Sequence, residues 1–457
     1  MTSTSNPTVS SHSGDDPRLA GIVSRNYRKL MPVLVFAYII AFIDRTNIGM
    51  VKQDLEIHIG ISAAAFGLGA GLFFVAYAFL EIPSNLIMHK VGARFWIARI
   101  MLTWGILAMA MAFVWNETSF YVMRILLGAA EAGLYPGVIL YITYWFPKKE
   151  RAKAIGLFLL GVSLANIIGA PLAGLLLQMD GFLGMHGYQW MFIIEGFPAV
   201  LLCFWVWFRL PNGPQDAKWM TQEEKDLLTG VLEAEDNGEK TQHSGLRALG
   251  PVIKDFQLWL VVIIYFVHQI AVYSLSYFLP SMIQSYDENM DSLTVGLITA
   301  LPWISAAIGS VLLPRFATNI TRSRALVSSG LVLIAGGLFI ALLSGFLIAI
   351  IVFCISAFML FVIQSVIFTF PSNRMSGAAA ASGIAFINTF GLIGGFIGPT
   401  VMGSLEESTG NQFAGLWFII VLVLISAVLA WFLKYRNTED GAPVKNVKTP
   451  VSQTSVR

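Results

Sequence analysis

Residues Arg124 to Pro147 read RILLGAAEAGLYPGVILYITYWFP, and the fold follows from where such a stretch can exist. It is apolar enough to lie in a bilayer, yet it holds Arg124 and Glu131. At about 100° per residue, Arg124, Gly128, Glu131 and Tyr135 fall within roughly 60° of one another on one helical face. Lipid does not tolerate that face, because an ionised group at mid-helix costs about 2.5–3.5 kcal/mol on insertion scales. The face must line a protein interior or a water-filled path. The two charges lie about 10.5 Å apart along the axis, so a direct bridge would be long and partners from another helix are expected. A purely structural ion pair remains the competing reading.

The whole chain shares this character. Of 457 residues, 56% are hydrophobic and 12% charged, with 33 Phe and 12 Trp, which is more apolar surface than a soluble domain of this length needs. A net charge of +2 is too small to suggest a nucleic-acid partner. Cys203 and Cys354 sit inside apolar runs, so neither reads as a disulfide half or a metal ligand. No nucleophile–base pair or metal cluster stands out, so no enzyme, cofactor or metal is expected. The polar, Ser/Thr-rich start lacks the basic-then-apolar order of a cleaved signal and reads as a disordered tail over 1–29.

Apolar runs long enough to span a bilayer recur at about 30–50, 63–88, 95–115, 118–145, 154–178, 189–210, 256–284, 293–315, 325–344, 347–370, 378–403 and 411–435. A polar linker, 211–255, separates a six-helix bundle over 30–210 from another over 256–435, with a tail over 436–457. This is the layout of transporters built from repeats. Lys and Arg fall on one side: Arg18, Arg25, Arg28, Lys29, Lys90, Arg94, Lys148, Lys149, Arg151, Lys153, the linker, Arg315, Arg322, Arg324 and Arg374. Lys52 stands alone in the opposite loops, which makes both termini and the linker cytoplasmic. Within the linker, Thr221-Gln222-Glu223-Glu224 before Leu227, Leu228, Val231 and Leu232 predicts a capped amphipathic helix. Asn116-Glu117-Thr118 matches a glycosylation sequon but abuts a span.

Two Lys or Arg residues are placed within the hydrocarbon region, Arg45 and Arg124, at similar depth, with Asp44 beside them and Glu131 near the midplane. Two cations and two carboxylates sum to zero, so protonating either carboxylate leaves a positive site that attracts an anion. Arginine can hold a carboxylate through two parallel hydrogen bonds. A locked cluster joining spans one and four is the alternative, and a gate can be both. Gln269, Tyr273 and Tyr277 recur every four residues, which predicts one polar stripe on span seven. Tyr77 and Asn388 are single polar points, each either a substrate contact or an interhelical hydrogen bond. His268, Asn166 and Gln364 lean structural, and Gly391, Gly394, Gly395 and Gly398 predict close helix packing.

FIDRTNIGM (42–50), EIPSNLIMHKVGAR (81–94), the 124–147 stretch and YQWMFIIEGFPAV (188–200) together resemble the anion:cation symporter family of the major facilitator superfamily. The likeness runs from about 30 to 435. QIAVYSL in span seven and NTFGLIGGFIGP in span eleven are most similar to bacterial tartrate and L-rhamnonate transporters. The superfamily's acidic residue between spans two and three is missing, since His89-Lys90 precedes Gly92-Ala93-Arg94. The resemblance implies an all-α fold of twelve transmembrane helices in two pseudo-symmetric bundles. It implies Asp44 and Glu131 in proton coupling, Arg45 and Arg124 as their basic partners, and Tyr77 and Asn388 at the substrate, with Gln269 and Tyr273 of the polar stripe joining them.

The expected function is uptake of a small organic anion, a sugar acid or hydroxy-carboxylate, with protons, by alternating access in the inner (plasma) membrane. The expected state is a monomer. An organic-anion antiporter or uniporter, or a ligand sensor of transporter fold, stays open.

Overall fold

A computed structural model describes residues 17–237, 249–317, 319–375 and 377–434. Those residues form helices and connecting turns without a strand. The first bundle comprises α1 (Pro17–Thr46), α2 (Lys52–Ile59), α3 (Ala63–Val91), α4 (Ala93–Ala110), α5 (Glu117–Glu131), α6 (Leu134–Thr143), α7 (Lys148–Leu177) and α8 (Gly187–Arg209). The linker contributes α9 (Gln222–Asn237) and α10 (Leu249–Lys254). The second bundle comprises α11 (Phe256–Gln284), α12 (Ser292–Leu312), α13 (Ile320–Leu343), α14 (Phe346–Ile367), α15 (Thr369–Arg374), α16 (Gly377–Thr409) and α17 (Ala414–Trp431). Twelve of these segments, some pairing two helices, are long and apolar enough to cross a membrane. The side carrying the linker is called the linker face below, and the opposite side the far face.

One expectation about the ends changes. The tail expected over 1–29 is helical from Pro17 onward, because Leu19, Ile22 and Val23 recur at helical spacing and bury against the bundle. Residues 1–16 and 435–457 lie outside the described residues, as do 238–248 of the linker. The remainder of the linker behaves as its sequence predicts. Thr221 and Glu224 cap α9 reciprocally, with Glu224 N to Thr221 Oγ1 at 3.4 Å and Thr221 N to Glu224 Oε2 at 3.1 Å. Leu228 and Val231 bury its apolar face. Arg25 of α1 pairs with Glu224 and holds that carboxyl below its usual range. The sequon at Asn116 also proves to be a helix cap: Asn116 Oδ1 accepts from Ser119 N at 2.8 Å, opening α5.

The bundles meet at the far face through small residues. Ala63, Gly67 and Gly71 lie four apart on one face of α3 and take the α16 backbone directly. A Cβ on Gly67 would collide with the Pro399 carbonyl, and one on Gly71 would sit 2.7 Å from the Phe396 carbonyl. The pseudo-equivalent seam joins α7 to α12, where Gly174 meets the Ser292 carbonyl and Gly296 meets that of Ala170. Lys52 Nζ and Glu406 Oε1 close the same face at 2.5 Å, and Ala64 N donates to Glu407 at 2.8 Å. Lys52 is therefore not the exposed loop residue expected from its sequence position. The 3₁₀ turn Asn47–Val51 tucks it inward, leaving it 2% exposed.

Candidate functional site

The fourth span is broken at its centre. α5 ends at Glu131, Gly133 adopts φ +93°, and α6 restarts at Leu134. A side chain at Gly133 would be strained by that φ and would also collide with Ser84. The break has two consequences. Glu131 becomes the last residue of α5, and Tyr135, in the first turn of α6, stacks on Tyr38 with ring centroids 6.0 Å apart. Gly128 is not a cavity residue, because it packs on the Phe73 carbonyl of α3.

Arg45 of α1 forms an ion pair with Glu131 of α5, so the carboxylate's partner does come from another helix. Both groups are almost fully buried. The Arg45 guanidinium lies 4.8 Å from the Phe42 ring centroid and 5.1 Å from those of Phe73 and Tyr77. Arg124 shares the Phe73 ring, at 5.0 Å, which places the two arginines at one level. Its guanidinium donates to the Gly69 and Ala70 carbonyls at 3.2 and 3.3 Å. Aromatic faces and carbonyls stabilise both cations without neutralising Arg124. Arg45 Nε, by contrast, has no hydrogen-bond partner among the described residues.

The second bundle presents the stripe predicted on α11. Gln269, Tyr273 and Tyr277 are buried, with Tyr273 interacting with Arg45 and Tyr277 with Arg124. Tyr277 Oη lies near the Arg124 guanidinium without reaching hydrogen-bond geometry. Gln269 Oε1 is 3.1 Å from His268 Nδ1, and His268 Nε2 is 2.8 Å from the Leu360 carbonyl, so His268 is a packed structural histidine. Gly391 and Gly394 of α16 lie against Tyr265, Phe266 and Gln269, as close packing requires. Asn388 is half-buried, as are Glu81 and Tyr135 toward the linker face, whereas Arg45, Arg124, Glu131, Tyr77 and Tyr273 are buried.

Asp44 is not where the sequence reading put it. Neighbouring helix positions diverge by about 100°, so Arg45 turns to Glu131 while Asp44 turns into the first bundle, beside Trp104 and Glu195. Glu195, Glu406 and the inward Lys52 were missed. An ionisable residue inside the 189–210 span was the available signal for Glu195. Folding also gathers His58, Asp180 and His186 on the far face, exposed, with ligand atoms within 4.8 Å of one another.

A buried charged centre between two six-helix membrane bundles, closed over at the far face by Lys52–Glu406, belongs to a polytopic membrane transporter rather than an enzyme. Residues 34–399 match the Major Facilitator Superfamily, and the chain belongs to that family. It is 39% identical over 423 residues to the inner membrane transport protein RhmT of Escherichia coli K12, covering 92% of this chain and 97% of that one. A protein of Agrobacterium vitis named for tartrate transport is 40% identical over 407 residues, 89% of each chain. The quinolone resistance transporter of Acinetobacter baumannii is 38% identical over 429 residues, 93% and 97% of the two chains. Among solved structures, an inward-facing bacterial homologue of the lysosomal transporter Spinster superposes with a TM-score of 0.73 at 17% identity, over 89% of this chain and 96% of that one.

Proposed function

We propose that the protein imports a small organic carboxylate together with protons by alternating access, with the linker face in the cytoplasm. One observation carries this reading: the buried Arg45–Glu131 pair lies between the bundles and leaves Arg45 Nε without a partner. A substrate carboxylate and Glu131 compete for the same guanidinium. Substrate gains Arg45 fully only when Glu131 gives up its charge, and the lowest-cost way to do so inside the membrane is to take a proton. Anion and proton then arrive together and leave together. Tyr77, Tyr273, Gln269 and Asn388 supply the neutral donors and acceptors that substrate hydroxyls need, which favours a sugar acid or hydroxy-carboxylate.

Two further facts support the reading. The Lys and Arg census puts the linker in the cytoplasm, so a sealed far face corresponds to an inward-facing state like that of the Spinster homologue. The relatives RhmT and the A. vitis protein point toward transport of small metabolites, the latter by name toward a hydroxy-dicarboxylate. The quinolone resistance relative favours a second reading, proton-driven export of a carboxylate-bearing compound.

Glu131→Gln tests the mechanism, because glutamine mimics the protonated acid permanently. In proteoliposomes offered tartrate and L-rhamnonate, the variant exchanges labelled for unlabelled substrate but fails to accumulate it under an imposed proton gradient. Accumulation at the wild-type level removes Glu131 from coupling. Uptake driven by an outward-directed proton gradient, and not by an inward-directed one, favours export.

A further inference from the structure

His58, Asp180 and His186 gather on the far face, apart from the charged centre between the bundles. Two tight turns assemble them. α2 carries His58 in its last turn and stops at Gly60, where a φ of +77° and an N–H bond to the Glu56 carbonyl at 3.0 Å close the helix. Between α7 and α8, Asp180 N donates to the Leu177 carbonyl at 3.3 Å. Gly181, at φ +79°, then turns the chain so that its N–H reaches the Met185 carbonyl at 2.9 Å. The loop so closed returns His186 to Asp180, and Gly187 N donates to Asp180 Oδ1 at 2.9 Å.

The side chains stand close to ligand geometry. The His58 and His186 ring centroids are 3.9 Å apart, and the buried Tyr188 ring lies 6.0 and 5.7 Å from them. His186 Nδ1 is 3.5 Å from Asp180 Oδ1. One ligand atom from each of the three residues lies within 4.8 Å of the other two. A tetrahedral ion with bonds of about 2.0–2.1 Å needs ligand atoms about 3.3 Å apart, so the Asp180–His186 edge is already near that length. The other edges close by a rotamer-scale movement, which three exposed side chains make at little cost. Two imidazole nitrogens beside one carboxylate oxygen favour Zn²⁺ and its transition-metal neighbours over Mg²⁺ and Ca²⁺, which take oxygen. Asp54, one helical turn before His58 on α2, adds negative charge beside the group.

We propose that His58, Asp180 and His186 form a divalent transition-metal site on the far face, binding Zn²⁺ through two imidazole nitrogens and one carboxylate oxygen, with water completing the shell. Gly187 N orients the carboxylate, and Tyr188 supports both rings. The ion joins α2 to the turn between α7 and α8. Because α2 begins at Lys52, the metal steadies the helix that carries one half of the Lys52–Glu406 contact between the bundles. The site goes beyond the transport reading and does not rest on it.

The experiment is isothermal titration calorimetry of the purified full chain, free of any affinity tag, with zinc chloride as the probe. The expected result is one Zn²⁺ per chain, bound roughly tenfold or more weakly by His58→Ala, Asp180→Asn and His186→Ala. His89→Ala removes an exposed histidine at the linker face and should bind as the wild type does. Hydrogen exchange of the α2 amides gives an independent reading. Zn²⁺ should slow it in the wild type but not in His186→Ala, whose change lies on another element. Each variant's unfolding transition without metal shows whether it folds, and any two folded ligand variants suffice. Binding that survives the ligand substitutions, or an equal loss in His89→Ala, overturns the site as adventitious zinc at the surface. Saturation by magnesium chloride through the same residues also overturns it, in favour of an oxygen-ligated cation. Wild-type α2 exchange that ignores Zn²⁺ overturns the link between α2 and the turn.

Discussion

Lys52→Met probes the closure of the far face most directly. Lys52 is 2% exposed, its ammonium lies 2.5 Å from Glu406 and 5.4 Å from the Phe278 ring, and the pair bridges the two bundles. Removing the lysine leaves Glu406 buried without a counter-charge, and breaking a buried pair in this way costs about 3–5 kcal/mol. The cost falls only on the conformation in which Glu406 is buried, so it becomes a shift in the balance between closed and open far faces. At about 1.4 kcal/mol per factor of ten, even 3 kcal/mol moves that balance by roughly a hundredfold. Glu406→Gln acts in the same direction by stranding Lys52. The double variant leaves no charge behind and returns most of the loss, because a buried ion pair replaced by neutral groups of similar volume is close to neutral in energy.

The assay is labelling of a cysteine at Thr400 by a membrane-impermeant maleimide in nanodiscs. Thr400 sits in the α3–α16 seam, its hydroxyl close to Gly71, and the two native cysteines Cys203 and Cys354 are first changed to serine. Each single variant is expected to raise the labelling rate ten- to a hundredfold, and the double variant to fall back to within about threefold of the starting rate. Single variants that label at the starting rate would refute Lys52–Glu406 as a latch. A double variant as reactive as the singles would show that the stranded charge is not the cause.

Arg124→Lys keeps the charge but replaces the two donors that reach the Gly69 and Ala70 carbonyls with one compact ammonium. Uptake should fall at least tenfold while the amount inserted in the membrane stays level; near-normal uptake would make Arg124 a structural residue. Gly67→Ala places a methyl group on the Pro399 carbonyl and should hold the far face open. The Thr400 cysteine would then label rapidly without any change of charge, and a slow rate in this variant would mean that the seam accommodates a side chain.

The spans, the α9 cap and the interhelical partner for Glu131 are legible in the sequence, because each rests on a local pattern or on a penalty too large to leave unmet. The place of Asp44 is not, because adjacency in sequence is not adjacency in space. A helix separates neighbours by about 100°, and Arg45 and Asp44 in fact serve different walls of α1. The break at Gly133 within the fourth span leaves no signal in the helical period, since Glu131 and Tyr135 fall on one face whether or not the helix is continuous. Glu195 was inside a quoted motif, but counting only basic residues within the spans passed over it. Lys52 and Glu406 depend on a five-residue 3₁₀ turn and on α16 running to Thr409, six residues past the expected end of its span at 403. Neither leaves a periodic signal.

The two seams at the far face have a mechanical consequence. Where Gly67 meets Pro399, Gly403 meets Ala63, Gly174 meets Ser292 and Gly296 meets Ala170, main chain touches main chain with no interlocking side chains between. Parting an ordinary helix interface requires each interdigitated side chain to find a new rotamer, at an entropic and steric cost repeated along the contact. At these glycines there is no side chain to disengage, whereas beside them Phe66 and Phe74 of α3 reach Phe278 and Tyr273 of the second bundle. In the alternating movement proposed above, the seams would serve as plain bearings over which one half of the molecule rolls, with the Lys52–Glu406 pair as the catch that sets when the roll begins.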